Sequence, residues 1–105
     1  MGGMYATIAL SDDLRWSADR WLFDWTVRFL AERVTSAEIA AQLRAIVDEQ
    51  RTWLAFDDYG PRAVAQFDGL IRERLLRAAD AELPRAMPGR TVALDHLRGL
   101  VLLVG

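Results

Sequence analysis

The chain is 105 residues long and 52% apolar, with ten aromatics and no cysteine, and its fifteen carboxylates stand against thirteen basic residues, all arginine, for a net charge of −2. That length makes one domain, residues 1–105, able to bury a single core unaided, and the composition excludes intrinsic disorder, disulfides, cysteine-ligated metal and a thiol nucleophile. The acidic balance with no clustered basic stretch excludes a phosphate-binding surface, hence a nucleic-acid partner, and the lack of an apolar run of about 18 residues excludes a membrane-spanning helix.

Met1 to Met4 shows no basic segment followed by an apolar one, so no secretory leader is read and the cytoplasm is the expected location. Met4 to Leu10 alternates loosely and stops at Ser11, Asp12 and Asp13, which predicts a short strand ending in a turn. Ser17 to Val34 then takes up a helical period, with Ser17 as the cap, Asp19 at the positive end of the dipole and Arg33 at the negative end. Its apolar side chains are too many for one narrow stripe. Ala18, Leu22, Trp25 and Phe29 make one arc, and Phe23, Val27, Leu30 and Val34 a second. Trp21 belongs to neither arc and projects from the polar side beside Arg28 and Glu32, with Asp24 three residues on and Trp25 four.

Thr35-Ser36-Ala37-Glu38 reads as a capping box with Thr35 as the cap, and the connection before it is short enough to make the two helices antiparallel neighbours. The second helix carries Ile39, Ala40, Leu43, Ile46, Val47, Trp53 and Leu54 in one arc of about 140°. Gln50 falls inside that arc and needs partners for its amide. Asp57 to Pro61 is a strong break, after which a third helix is predicted over Arg62 to Leu83, with Val64, Phe67, Ile71, Leu75 and Ala78 on its buried face. Pro84 to Gly89 is a loop. Arg90 to Gly105 fits either strand or helix; Thr91, Val92 and the run Leu100 to Val104 favour strands, as does the need of the first strand for a partner. The expected fold is therefore α+β and mostly helical, three amphipathic helices packed on a small sheet made by the N- and C-terminal strands.

Few residues suit chemistry. His96 is the only histidine, sits beside Asp95, belongs to no Ser-His-Asp spacing and is expected in a turn as a solvated or capping residue. Asp12-Asp13 and Asp57-Asp58 lack the spaced oxygens of a calcium loop, and no second histidine completes a zinc or iron site. No glycine-rich phosphate loop is present. No metal, cofactor or catalytic set is expected, and the polar groups open to a small ligand are Asp57, Asp58, Tyr59 and His96.

Trp21 is different, because tryptophan and arginine dominate binding hot spots and Trp21 stands in line with Asp24 and Arg28, beside Trp25 and Arg20. Residues 1–58 hold ten carboxylates and six arginines, net −4, while residues 59–105 are net +2, and an acidic half suits a basic protein partner. The arginine-only usage is the coding bias of a GC-rich, bacterial type of genome. The expected function is a small protein-binding module and not an enzyme, most concretely an antitoxin or immunity-type inhibitor that occludes a basic partner. Two alternatives stand beside it. One is a homodimeric or assembly subunit in which the second arc of the first helix meets a copy, and the other is a small-ligand protein or enzyme with a helix-lined pocket.

Overall fold

The computed structural model describes residues 5–105; Met4, the expected first residue of the leading strand, lies outside the described residues. β1 (Tyr5–Ala9) and β2 (Arg15–Asp19) form an antiparallel hairpin running from Tyr5 opposite Asp19 to Ala9 opposite Arg15. Ser11 to Asp13 form its tip, closed by the Leu10 N–H donating to the Leu14 carbonyl at 2.8 Å. Period-two alternation buries Ala6, Ile8, Trp16 and Ala18 and turns Tyr5, Arg15, Ser17 and Asp19 to solvent. On the outer face the hydroxyls of Thr7 and Ser17 bond across the strands at 2.8 Å. β3 (Trp53–Ala55) lies parallel to β1 on its other side, so the sheet order is β2-β1-β3.

Two expectations change here. The sheet is not closed by the C-terminal segment, and Ser17 is no helix cap but the middle of β2. The alternation of Arg15 to Asp19 wins over the helical reading because Trp16 and Ala18 both find cover on the sheet's inner face. α1 (Arg20–Arg33) starts directly after Asp19. Both of its apolar arcs are covered by this chain, since it packs on β1, β2 and the helices Ala37–Asp48 and Pro61–Leu70 and buries Leu22, Phe23, Val27, Phe29 and Leu30. Thr26 between the arcs is buried too, and its hydroxyl donates to the Leu22 carbonyl at 2.8 Å.

α2 (Ala37–Asp48) is capped by Ser36, one residue later than expected, whose Oγ accepts from the Ile39 N–H at 3.2 Å. Thr35 instead faces Gln66, whose Oε1 accepts the Thr35 N–H. The helix stops well before Trp53. Gln50 takes φ 58°, the Arg51 N–H reaches back to the Ile46 carbonyl and the Gln50 N–H to that of Val47. This is a Schellman end with glutamine where glycine is usual. Gln50 is therefore exposed and outside the apolar face, and Trp53 and Leu54 belong to β3.

After a 3₁₀ turn (Phe56–Tyr59), Gly60 at φ 90° and Pro61 in the first helical turn open α3 (Pro61–Leu70), which runs through a π turn (Ile71–Leu75) into α4 (Leu76–Glu82). The reason for the π turn is in the spacing. Ala63, Phe67, Ile71, Leu75, Ala79 and Leu83 are all buried, four residues apart each time. In an ideal helix each such step drifts by about 40°, so the stripe would wind away from the core within a few turns. Local underwinding in the π turn takes up that drift and keeps the stripe on the core side. It also moves the buried position from the expected Ala78 to Ala79.

The tail is a helix, α5 (Arg90–Val104), and not a strand. Gly89 at φ 77° sets its start, and Ala93, Leu97 and Leu100 are buried against the π turn, α4 and β2. Arg90 holds the preceding turn, donating to the carbonyls of Asp80 and Leu83 and to the Asp80 carboxylate at 2.9, 3.2 and 3.1 Å. Tertiary packing on a helical face thus outweighs the strand preference of Thr91, Val92 and Val101. Gly99 sits inside α5 with open space where a Cβ would point. Gly99→Ala is therefore expected to stabilise the protein by about 0.5–1 kcal/mol in urea unfolding; a loss of stability would contradict a helix there.

Candidate functional site: a cleft at the start of the first helix

A cleft of about 400 Å³ opens where three elements meet: the Tyr5–Asp19 end of the hairpin, the first turn of α1 with Trp21 and Leu22, and the start of α5 with Gly89, Val92 and Ala93. Pro88 and His96 complete the lining. Tyr5, Trp21 and Val92 are 67%, 44% and 70% exposed. Large apolar side chains left this open on one cleft form a surface that water solvates poorly.

The far wall is tied to the sheet by a reciprocal pair of bonds. The Trp16 indole N–H donates to the His96 carbonyl at 3.0 Å, and His96 Nε2 donates to the Ser17 carbonyl at 2.5 Å. The two rings lie 5.5 Å apart and tilted. His96 is thus in the middle of α5, not in a turn, and one ring nitrogen serves to hold α5 against the edge of β2.

Of the five residues singled out for partner binding, Trp21 alone lines this cleft. Arg28 is exposed one face along, in a second and smaller cleft between α1 and α2 with Glu32, Arg44 and Asp48. Asp24 and Arg20 are mostly covered and paired, Oδ2 to Nε 3.8 Å, and the other carboxylate oxygen of Asp24 is buried without a hydrogen bond. Trp25 is half-buried and stacked on Phe29, ring centres 5.8 Å apart. The five share one strip of α1, at different depths. Tyr5, Asp19 and Val92 escaped the sequence reading because pairing and α5 packing bring them to Trp21.

The four residues considered for a small ligand are not brought to one cleft. Asp57 lines an open groove with Gly60, Pro61, Val64, Ala65 and Asp68, Tyr59 lines another with Thr35, Ile39 and Gln66, Asp58 is exposed, and His96 belongs to the cleft beside Trp21. Burial first, then the Asp58 carboxylate, pushes the Tyr59 phenol above its ordinary value, with Arg51 acting the other way. Asp68 is also raised, by burial, against the lowering effect of Arg72. A carboxyl that holds its proton more tightly when folded favours the folded state at low pH, and that advantage disappears as pH rises from about 4 through the raised value. Asp68→Asn removes a partly buried charge, so it is expected to melt slightly higher than the wild type at pH 7 with the gap closing below about pH 4. Equal melting at pH 7 would contradict this.

Among the described residues no group of three or more metal-binding side chains gathers, and no helix is long and apolar enough to cross a membrane. No family model, curated protein or solved structure matches the chain.

Proposed function

We propose that this chain is a small protein-binding module that takes its partner at the cleft beside Trp21. The observation that carries the reading is the gathering of Tyr5, Trp21 and Val92, all widely exposed, on one concave surface. Such aromatic and aliphatic anchors contribute most of the affinity in protein interfaces. The net −4 of residues 1–58, of which the hairpin and α1 hold −1 and the segment from α2 to Asp58 the rest, favours a basic partner. The most concrete form of the reading is an inhibitor of the antitoxin or immunity type, which acts by covering a basic surface and needs no chemistry of its own.

Capture from the native host lysate tests it, wild type against Trp21→Ala. A basic protein retained by the wild type and lost from the variant supports the reading, while retention by both removes it. With both arcs of α1 covered internally, burial of that helix calls for no second copy. Light scattering is accordingly expected to give a monomer at micromolar concentration; a stable dimer would favour the assembly-subunit reading instead.

A further inference from the structure

We infer that the cleft beside Trp21 receives an arginine side chain of the partner protein, its guanidinium held by the Asp19 carboxylate and the rings of Tyr5 and Trp21; this rests on the protein-binding reading above. Tyr5 and Asp19 are the terminal cross-strand pair of the hairpin, so phenol and carboxylate rise from the same outer face of the sheet. Trp21 follows two residues later in the first turn of α1, and all three line the cleft. Asp19 stands at the N-cap of α1, yet its side chain makes no cap bond. Among the described residues its carboxylate enters no hydrogen bond or ion pair, a state it shares with eight other carboxylates, of which none lines this cleft.

An unpaired carboxylate and two exposed aromatics lining one cleft are the makeup of a cation site. Ring faces carry the negative part of the aromatic quadrupole, and the carboxylate adds full charge and two acceptor oxygens. A guanidinium fits this pair better than an ammonium, because its plane stacks on a ring while its edge forks onto the carboxylate. The chain already sets two of its own arginines over aromatic rings, Arg33 at 4.3 Å from the Phe29 ring centre and Arg15 at 5.3 Å from that of Trp53. The starts of α1 and α5 also open on the cleft, and helix starts attract anions; here Asp19 already supplies the negative charge. The volume of about 400 Å³ suits one long side chain with the backbone that presents it.

The whole chain is titrated with the capped tripeptide Gly-Arg-Gly, its Gly-Gln-Gly counterpart and sodium phosphate, following the Trp21 indole N–H and the Tyr5 and Asp19 amides by NMR. Saturable millimolar binding of the arginine peptide alone is expected, weakened about tenfold in Asp19→Asn, whose melting should fall by only a few degrees because the exposed side chain makes no cap bond and loses only its charge at the helix start. Equal binding by Asp19→Asn, a response to phosphate in place of the arginine peptide, or no response up to about 50 mM would overturn the inference. Self-association abolished by Asp19→Asn would make a second copy the occupant and overturn it as well. A captured partner separates this inference from the reading beneath it. Loss with Trp21→Ala but full retention with Asp19→Asn removes the arginine site and leaves the binding module standing, and retention by both removes both.

Discussion

Phe67→Ala is expected to lower stability by about 3–5 kcal/mol, and melting by roughly 15–30 °C for a domain of this size. Phe67 is fully buried at the second position of the six-residue stripe, spaced four apart, that runs from Ala63 to Leu83. Its ring centre lies 4.7 Å from that of Phe56 and, edge-on, 5.7 Å from that of Tyr59, so truncation removes contacts on both sides and opens a cavity. Most of the stability of a chain this long resides in a few kilocalories. Urea unfolding measures the change, and a cost under about 1.5 kcal/mol would show that the stripe is not central to the core.

Trp16→Ala is expected to cost a similar amount, about 3–5 kcal/mol, while Trp16→Phe costs about 1–2. Trp16→Phe keeps most of the buried area and lacks only the donor, so its cost reads the indole N–H bond to the His96 carbonyl, and the further loss in Trp16→Ala reads the area. Trp16 does more than fill space, since with His96 it fixes α5 to the edge of β2 and so holds the wall made by Gly89, Val92 and Ala93 opposite Trp21. A binding defect in Trp16→Phe at temperatures where it remains folded is the expected consequence. Wild-type stability in Trp16→Phe would remove the role given to the indole N–H.

The elements carried by strong local signals were readable in the sequence. The strand up to Leu10, the turn at Ser11 to Asp13, the helical core of α1 and α2, the break at Asp57 to Pro61 and the long helix after it all follow from period, caps and breakers. What escaped was set by contacts between distant residues. Gln50 ends α2 in a left-handed conformation that nothing about glutamine announces, and without that stop Trp53 and Leu54 read as helix. Arg15 to Asp19 alternates as a strand but is only five residues long and runs straight into α1, whose period absorbs it. In the tail, the side chains of Thr91, Val92, Val101 and Val104 favour extended backbone locally, whereas Ala93, Leu97 and Leu100 find a buried surface only as a helix. The π turn was present as the four-residue spacing from Ala63 onward, a pattern that a fixed 3.6-residue period hides.

The candidate site was half legible for the same reason. Trp21 stood out as an aromatic on a polar face, and it is exposed and lines the cleft. Its neighbours in space are Tyr5, Asp19 and Val92, which come from a strand, a strand end and the start of the last helix. Asp24, Trp25 and Arg28, its neighbours along α1, lie on the same strip but not in that cleft. Helical spacing identifies which residues share a face; it does not say which other element rises beside that face.

The most direct measurement is calorimetric titration of the captured partner against the wild type, Trp21→Ala and Arg28→Ala. A binding module centred on the cleft requires Trp21→Ala to weaken affinity by at least about 30-fold, the cost of losing an interface anchor, with Arg28→Ala changed less than about threefold. Unchanged affinity in Trp21→Ala would contradict the reading outright, and a loss confined to Arg28→Ala would move the binding surface to the groove between α1 and α2.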